Sequence, residues 1–269
     1  MKDLSEIRNV AEITSKQAKE LKKQGVNYIS VQDDEDYPEG KLYYPEDIVE
    51  IKKAIHDFLL GMPDFDKNDP NYEKKVFSYV YVKLALTVKY DTKAAKIASK
   101  PGYALDEEKG EYVNNAASMY GALINRRAIC SGLSDALRNI LAEMGIRAKY
   151  ISSKPNEDGE RHAWNQVYLD GEWYNCDVTN DAEFFKKGLI AKHFLVSDAD
   201  FEIMQMYSVK NPALRARAKA RSLYPDEQWK FTCGVIKQIK AELKELNKRP
   251  KFVEDISAKV AENNRQRGN

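Results

Sequence analysis

The sequence has few of the residues that metal sites and disulfide frameworks require. Its 269 residues include three cysteines and three histidines, all far apart, so they cannot form a disulfide framework or a paired zinc motif such as C-x-x-C or H-x-x-x-H. It also lacks a phosphate-binding glycine loop and an acidic cluster with the spacing of a calcium loop. We therefore expect neither a metal nor another cofactor.

Long apolar runs are also missing. No stretch approaches the roughly eighteen apolar residues of a membrane helix, and the first residues lack the apolar core of a signal peptide. With so few cysteines, a cytoplasmic protein is expected, or a secreted one if a leader has been removed. Basic residues are concentrated after Phe201, a pattern more typical of solvated helix faces than of a nucleic-acid site. The sequence does not indicate an oligomeric state.

Cys130 stands at the predicted start of a helix. Apolar residues follow it at the spacing of a one-faced helix, and Gly145 is a suitable C-terminal stop; they are Leu133, Ala136, Leu137, Ile140, Leu141 and Met144. Unpaired N–H groups and the positive end of the helix dipole favour a thiolate at this position. The same N–H groups can stabilise an oxyanion. Cys130 is thus a candidate nucleophile, although position alone more often indicates a buried apolar residue.

A predicted β-hairpin supplies a base and a carboxylate. Asp170-Gly171 separates two runs rich in aromatic and β-branched residues, which predicts a two-residue turn that pairs Leu169 with Glu172. In that register His162 lies diagonally opposite Asp177, about 7–8 Å away at the backbone. A hydrogen bond between Asp177 and the imidazole would fix the ring tautomer and turn the other ring nitrogen toward a thiol.

The other cysteines and histidines are expected to have structural roles. Cys176 points to the opposite face of the strand from Asp177, and Cys233 lies on a helical stretch without an acid or base motif, so packing is expected for both. His56, beside Ile55 on an amphipathic helix, is expected to be a surface or boundary residue. His193 is expected to cap the strand that begins at Phe194.

Several motifs in order resemble the bacterial transglutaminase-like superfamily, from Tyr90-Asp91 to about Phe194–Asp198. The motifs are Tyr120-x-x-Leu, Ala128-Ile-Cys130-x-Gly132, Gly145-Ile146, His162-Ala-Trp-Asn165, Asp170-Gly-x-Trp-Tyr174 and Asp177-x-Thr179. The resemblance implies a papain-like α+β core, in which a catalytic cysteine at a helix N-terminus packs on an antiparallel sheet. It also implies a triad of Cys130, His162 and Asp177. Members include transglutaminases, cysteine peptidases, amidases and proteins that have lost activity.

The sequence departs from the family pattern on both sides of the triad. Leu133 stands where an aromatic residue usually follows Cys-x-Gly, and Asn180 stands where tryptophan usually follows Asp-x-Thr. Asn180 is therefore a cleft candidate. Tyr120 and Asn125 are equal candidates for a second oxyanion donor. Trp164 and Trp173 share the face of the His–Asp pair and are expected to shield it from water.

These residues favour a cysteine enzyme that hydrolyses a peptide or related amide through a thioester. Acyl transfer from protein glutamine, or a catalytically silent binding module, are the alternatives. The expected partner is a peptide or protein substrate with an amide group, without a membrane or a specific nucleic acid.

Three regions are expected along the chain: a mainly helical extension at 1–70, a transglutaminase-like catalytic core at 71–204 and a basic helical extension at 205–269. The apolar pattern predicts strands at 26–31 and 145–151, a loop at 93–111 and a polar loop at 152–161. It predicts helices at 5–23, 45–60, 72–90, 112–123, 199–207, 212–223 and 226–247, with a last segment from 252.

Overall fold

The computed structural model describes residues 11–13, 23, 40–42, 45–100, 102–187, 191–201, 203 and 226–248. The strands are β1 (Ala11–Ile13), β2 (Gly40–Leu42), β3 (Lys89–Tyr90), β4 (Arg127–Ala128), β5 (Ala148–Ser152), β6 (Ala163–Leu169) and β7 (Glu172–Cys176). The helices are α1 (Pro45–Leu59), α2 (Tyr72–Thr87), α3 (Thr92–Ala98), α4 (Glu107–Ala116), α5 (Met119–Leu123), α6 (Cys130–Glu143), α7 (Val178–Lys187) and α8 (Asp226–Lys248). The fold is α+β, as predicted.

The main sheet is antiparallel, with the strand order β5-β6-β7. Leu169 pairs with Glu172, and the ladder continues to Asn165 opposite Cys176, so the predicted hairpin register is confirmed. Asp170 and Gly171 have φ values of 52° and 83°, the left-handed conformations that a type I′ turn requires and that Asp-Gly favours.

Helix α6 packs against the sheet and carries Cys130 as its first residue. Its apolar stripe is buried in the main core, as the three- and four-residue spacing predicts. The helix ends at Glu143, and Gly145 follows with φ 76°. A left-handed residue just beyond a helix is the usual way to stop it, and glycine adopts that conformation without strain.

Helix α2 lies at the centre of the core. Nine of its residues are buried, including the aromatic side chains of Phe77, Tyr79 and Tyr81. A helix that is buried on almost every side must be covered by other elements, and here α7 and α8 pack against it. Helix α8 contributes Val235, Ile236 and Ile239 to the same core.

The segment 93–111, predicted to be a loop, is instead mostly helical. It contains most of α3, a short 3₁₀ turn at Tyr103–Leu105 and the start of α4. Asp91 and Asp106 begin the two helices, because their carboxylates accept backbone N–H bonds from the first turns. Each helix is short and buries few side chains, so the apolar pattern is too weak to show it, whereas the caps stabilise both.

Other boundaries also differ from the predictions. The helix predicted at 112–123 is two helices, because the chain breaks at Ala117 and the Ser118 side chain caps α5. The helix predicted at 72–90 ends at Thr87, and Lys89–Tyr90 then pairs in parallel with Arg127–Ala128. The strand predicted at 145–151 begins at Ala148.

The helix predicted at 5–23 is wrong at Ala11–Ile13, whereas Lys23, the last residue of that prediction, is helical. Ala11–Ile13 is a strand that pairs with Gly40–Leu42, and such pairing outweighs a weak helical pattern. The predictions for 26–31, for 212–223, for the segment from 252 and for most of 199–207 lie outside the described residues. Within the described parts of the chain, no helix is long and apolar enough to cross a membrane.

Candidate active site

Cys130 is held at the start of α6 by backbone contacts on its N-terminal side. Ile129 precedes the helix in extended conformation without a side-chain cap, and its N–H donates to the Ala116 carbonyl at 2.9 Å. The Cys130 side chain is partly exposed. The thiol therefore lies at a helix N-terminus without a side-chain capping hydrogen bond, where N–H groups and the helix dipole favour negative charge.

Gly132 allows this helix start to approach the end of α4 closely. A Cβ atom on Gly132 would lie 2.4 Å from the Ala116 carbonyl oxygen and 2.8 Å from the Ser118 carbonyl oxygen. Both neighbours are backbone atoms, which cannot rotate away as a flexible side chain can. The glycine two residues after Cys130 thus fixes the position of the thiol relative to the α4–α5 turn.

Asp91 secures the same region from another direction. Its backbone N–H donates to the Ala128 carbonyl at 2.9 Å, and its buried carboxylate accepts from Tyr112 Oη at 2.9 Å and Arg127 Nε at 3.2 Å. Burial tends to raise its pKa, but these donors and the capped helix N–H groups hold the pKa below its usual value. Sequence reasoning missed this role; an aspartate just before a helix is the capping signal that indicates part of it.

His162 faces Asp177 across the open end of the hairpin. The distance between His162 Nε2 and Asp177 Oδ2 is 2.6 Å, and the imidazole also interacts by hydrogen bond and charge with Cys130. Burial disfavours the imidazolium, but the Asp177 charge and hydrogen bond, together with Cys130, outweigh it and raise the pKa of His162 to about 10. The imidazole therefore keeps its proton at neutral pH in this arrangement.

Asp177 is buried, with 1% of its side chain exposed, and both carboxylate oxygens have donors. Oδ1 accepts the backbone N–H groups of Thr179 and Asn180 at 3.0 and 3.2 Å. Oδ2 accepts from His162 and from Asn180 Nδ2 at 2.6 Å. Burial alone would raise the pKa of Asp177, but His162 and Asn180 hold it below its usual value, so the carboxylate remains charged.

Cys176 is buried and belongs to the main core, as the alternation along the strand predicts. Burial, reinforced by the charges of Asp177 and Asp181, raises the pKa of its thiol well above the usual value. Cys176 is therefore a packing residue, and a poor nucleophile.

A cavity of about 490 Å³ opens beside His162. Asn180 and Leu133, the two residues that depart from the family pattern, both line it. Glu183 and Lys186 of α7 also line the cavity, and its remaining apolar wall comes from Ala85, Val88, Tyr90, Ala182 and Ile203.

The structure brings some of the predicted cleft residues next to the His162–Asp177 dyad, and others lie elsewhere. Asn180 contacts both members, and its Nδ2 lies 3.3 Å from His162 Nε2. Trp164 is fully buried, and its ring stacks on His162 with centroids 6.1 Å apart. The Tyr120 hydroxyl donates to Glu50 at 3.2 Å, and Asn125 is exposed in the turn before β4; neither residue lines the cavity.

Trp173 does not shield the dyad, contrary to the prediction. It pairs with Tyr168 near the hairpin turn and packs edge-on against that ring at 5.2 Å. Trp173 and Asp177 share a face of the strand, but they are four positions apart, which corresponds to roughly 13 Å of chain. A shared face does not imply proximity.

A second buried Asp–His pair lies behind the first. Asp181 Oδ1 accepts from His193 N at 3.0 Å and lies 3.1 Å from His193 Nδ1, while Asp181 Oδ2 accepts from the Tyr81 hydroxyl at 2.9 Å. The His193 carbonyl in turn accepts the Asp177 N–H at 3.0 Å. His193 therefore supports Asp177 through its backbone. It does not cap a strand as predicted, because the segment after it forms only an isolated bridge between Val196 and Asn175.

The chain is similar to one known protein family and to some solved structures. Residues 65–178 match the model of the transglutaminase-like superfamily, whereas no curated protein matches the chain. One similar solved structure is that of a TGase, 17% identical, covering 63% of this chain and 48% of that chain with a TM-score of 0.32. Another, from Cytophaga hutchinsonii and named as a candidate cysteine protease, is 14% identical and covers 48% of this chain and 37% of that chain with a TM-score of 0.30.

This chain thus spans less than half the length of those two proteins. The similarity to the transglutaminase-like superfamily rests on residues 65–178, which are less than half of the chain.

Proposed function

We propose that this protein is a cysteine-dependent hydrolase of peptide or related amide bonds. The observation that carries the proposal is the imidazole of His162, which interacts with the Cys130 thiol and lies 2.6 Å from the buried Asp177 carboxylate. A nucleophile, a base and an orienting acid in this order are the groups that thiol catalysis requires.

In the proposed reaction, the Cys130 sulfur attacks the amide carbonyl carbon, and negative charge develops on the carbonyl oxygen. The N–H groups at the start of α6 are suitably placed to stabilise that charge. The His162 imidazolium then gives its proton to the amide nitrogen, the carbon–nitrogen bond breaks and the amine leaves. A thioester between the substrate acyl group and Cys130 remains.

Water resolves the thioester in this proposal. His162, now neutral, takes a proton from water, the hydroxide adds to the carbonyl, and the acid leaves as the Cys130 thiolate forms again. Asp177 holds the imidazole in the tautomer that these transfers need. Asn180 and Leu133 line the cavity beside His162 in place of the tryptophan and the aromatic residue of the family pattern. There is then less aromatic bulk to keep water from the thioester, which favours hydrolysis over acyl transfer.

The test supplies a glutamine-containing peptide amide and a labelled primary amine together. Free acid should form faster than the amine conjugate, and Cys130→Ala should abolish both, while Cys233→Ala leaves both unchanged. Faster formation of the conjugate, dependent on Cys130, would identify the protein as an acyltransferase instead. Absence of any Cys130-dependent product from a broad set of peptide amides would favour the binding module.

A further inference from the structure

The cavity beside His162 combines an apolar wall with a balanced pair of charges. Ala85, Val88, Leu133 and Ile203 form much of the wall. Glu183 and Lys186 also line it, with Lys186 Nζ donating to Glu183 Oε1 at 2.8 Å. Their side chains are 64% and 42% exposed, so this ion pair lies at the solvent edge of the cavity. Its volume of about 490 Å³ is within the usual range for sites that bind small groups.

The chemistry of amide cleavage indicates which half of a substrate this cavity would receive. This step rests on the proposed function. His162 must approach the amide nitrogen within hydrogen-bond distance to protonate it, so the amine half has to lie against the imidazole. His162 and Asn180 line the cavity, whereas Cys130 does not. The acyl half is attached to Cys130 in the thioester, and the cavity is therefore on the amine side.

The lining also indicates which amines fit. An apolar substituent would contact the Ala85, Val88, Leu133 and Ile203 side chains and leave water. A cationic substituent would compete with Lys186 for Glu183, and an anionic one would compete with Glu183 for Lys186. Because the two charges are already paired, neither sign gains an unopposed partner, and a charged group loses hydration at the apolar wall.

We propose that the cavity is an amine-side binding site that selects uncharged, apolar substituents on the nitrogen of the cleaved amide. For a peptide substrate, the residue after the cleaved bond is then leucine-like or aromatic rather than lysine-like or acidic. Because Glu183 and Lys186 are paired with each other, the site favours neither cationic nor anionic substituents.

The first experiment digests a synthetic library of random-sequence peptides and identifies the new N-termini by mass spectrometry. Leucine, isoleucine, valine and phenylalanine should be enriched tenfold or more over lysine and glutamate, since a single methylene in an apolar pocket changes discrimination by about tenfold or more. Cys130→Ala digests provide the background. Cleavage without enrichment would overturn the inference while the proposed function stands. Absence of Cys130-dependent cleavage would overturn both.

The second experiment unbalances the charge pair. Lys186→Met leaves Glu183 unpaired and should increase cleavage before lysine, relative to leucine, by up to about fivefold, the range expected for one exposed ion pair. Glu183→Gln should increase cleavage before glutamate by a similar factor. Both residues are exposed, so either change should be tolerated by the fold.

Matched controls are available on other helices. Lys96→Met and Glu107→Gln make the same chemical changes at exposed positions of α3 and α4 that do not line the cavity. They should leave the profile unchanged. Unchanged profiles in Lys186→Met and Glu183→Gln, or shifts equal to those of the controls, would show that this ion pair does not govern the amine side.

Discussion

The reactivity of Cys130 toward iodoacetamide directly tests whether Cys130 pairs with His162. The pKa of His162 is raised to about 10, so its proton remains through the neutral range and supports a thiolate on Cys130. An unperturbed cysteine is only a few per cent thiolate at neutral pH. Because the thiolate is the reactive form, pairing with an imidazolium increases the reactive fraction by at most about thirtyfold.

The assay measures labelling of all three cysteines in the same folded sample by mass spectrometry. Cys233 is also partly exposed and serves as an internal reference, whereas buried Cys176 should react slowest. Replacing His162 with glutamine should lower the ratio of Cys130 to Cys233 labelling by about tenfold to thirtyfold, while the glutamine amide still gives Asp177 a donor. His162→Ala extends the series if the glutamine variant retains some effect.

The pH dependence provides a second measurement. The Cys130-to-Cys233 labelling ratio should be higher in the native protein than in His162→Gln through the neutral range, and this difference should shrink as pH rises through about 10, where the imidazolium loses its proton. Equal labelling of Cys130 and Cys233 in the native protein, or a difference between the two proteins that persists unchanged above about pH 10, would refute the reasoning.

Three further outcomes follow from the same contacts. Gly132→Ala should lower the free energy of unfolding by about 1–3 kcal/mol in urea titrations, because its Cβ would overlap two carbonyl oxygens. As a control, Gly234→Ala on α8, where the added Cβ meets open space, should raise the free energy of unfolding by about 0.5–1 kcal/mol. A loss of stability at both positions would contradict this reasoning. Asn180→Asp should reduce Cys130-dependent turnover more than Asn180→Leu, because only the aspartate places a like charge beside Asp177 Oδ2; equal losses would mean that the amide only fills space. The stability that His162 contributes should be complete below about pH 6.5 and be lost as pH rises to about 10, since its pKa is higher in the folded state. The free energies of unfolding of the native protein and His162→Gln should therefore converge over that pH range. A difference that stays constant with pH would contradict this.

The dyad could be predicted from sequence because its geometry depends on local rules. Asp170-Gly171 defines a two-residue turn, and counting back along two strands places His162 near Asp177 without knowledge of any other element. The pairing in the structure follows that register from Leu169–Glu172 to Asn165–Cys176. The spacing after Cys130 likewise predicts a helix whose start is the cysteine itself.

The short helices between Asp91 and Ala116 could not be found by the same reasoning. Helix α3 buries only Ala94, and α4 buries only Gly110, Val113 and Ala116. Helices of two or three turns that bury so few side chains show no apolar periodicity that can be recognised in the sequence. Their stability depends on the caps and on contacts with distant residues, such as the bond between Tyr112 and Asp91.

The support behind Asp177 shows why local reasoning cannot complete the site. Asp177 and Asp181 lie one turn apart at the start of α7, and their carboxylates face different histidines: His162 from the hairpin and His193 from the following loop. Tyr81 reaches Asp181 from α2, 100 residues earlier in the chain. No spacing rule connects residues so far apart, and only the packing of α2 against α7 brings them together. The orientation of the Asp177 backbone, and with it the dyad, therefore depends on the core as much as on the hairpin.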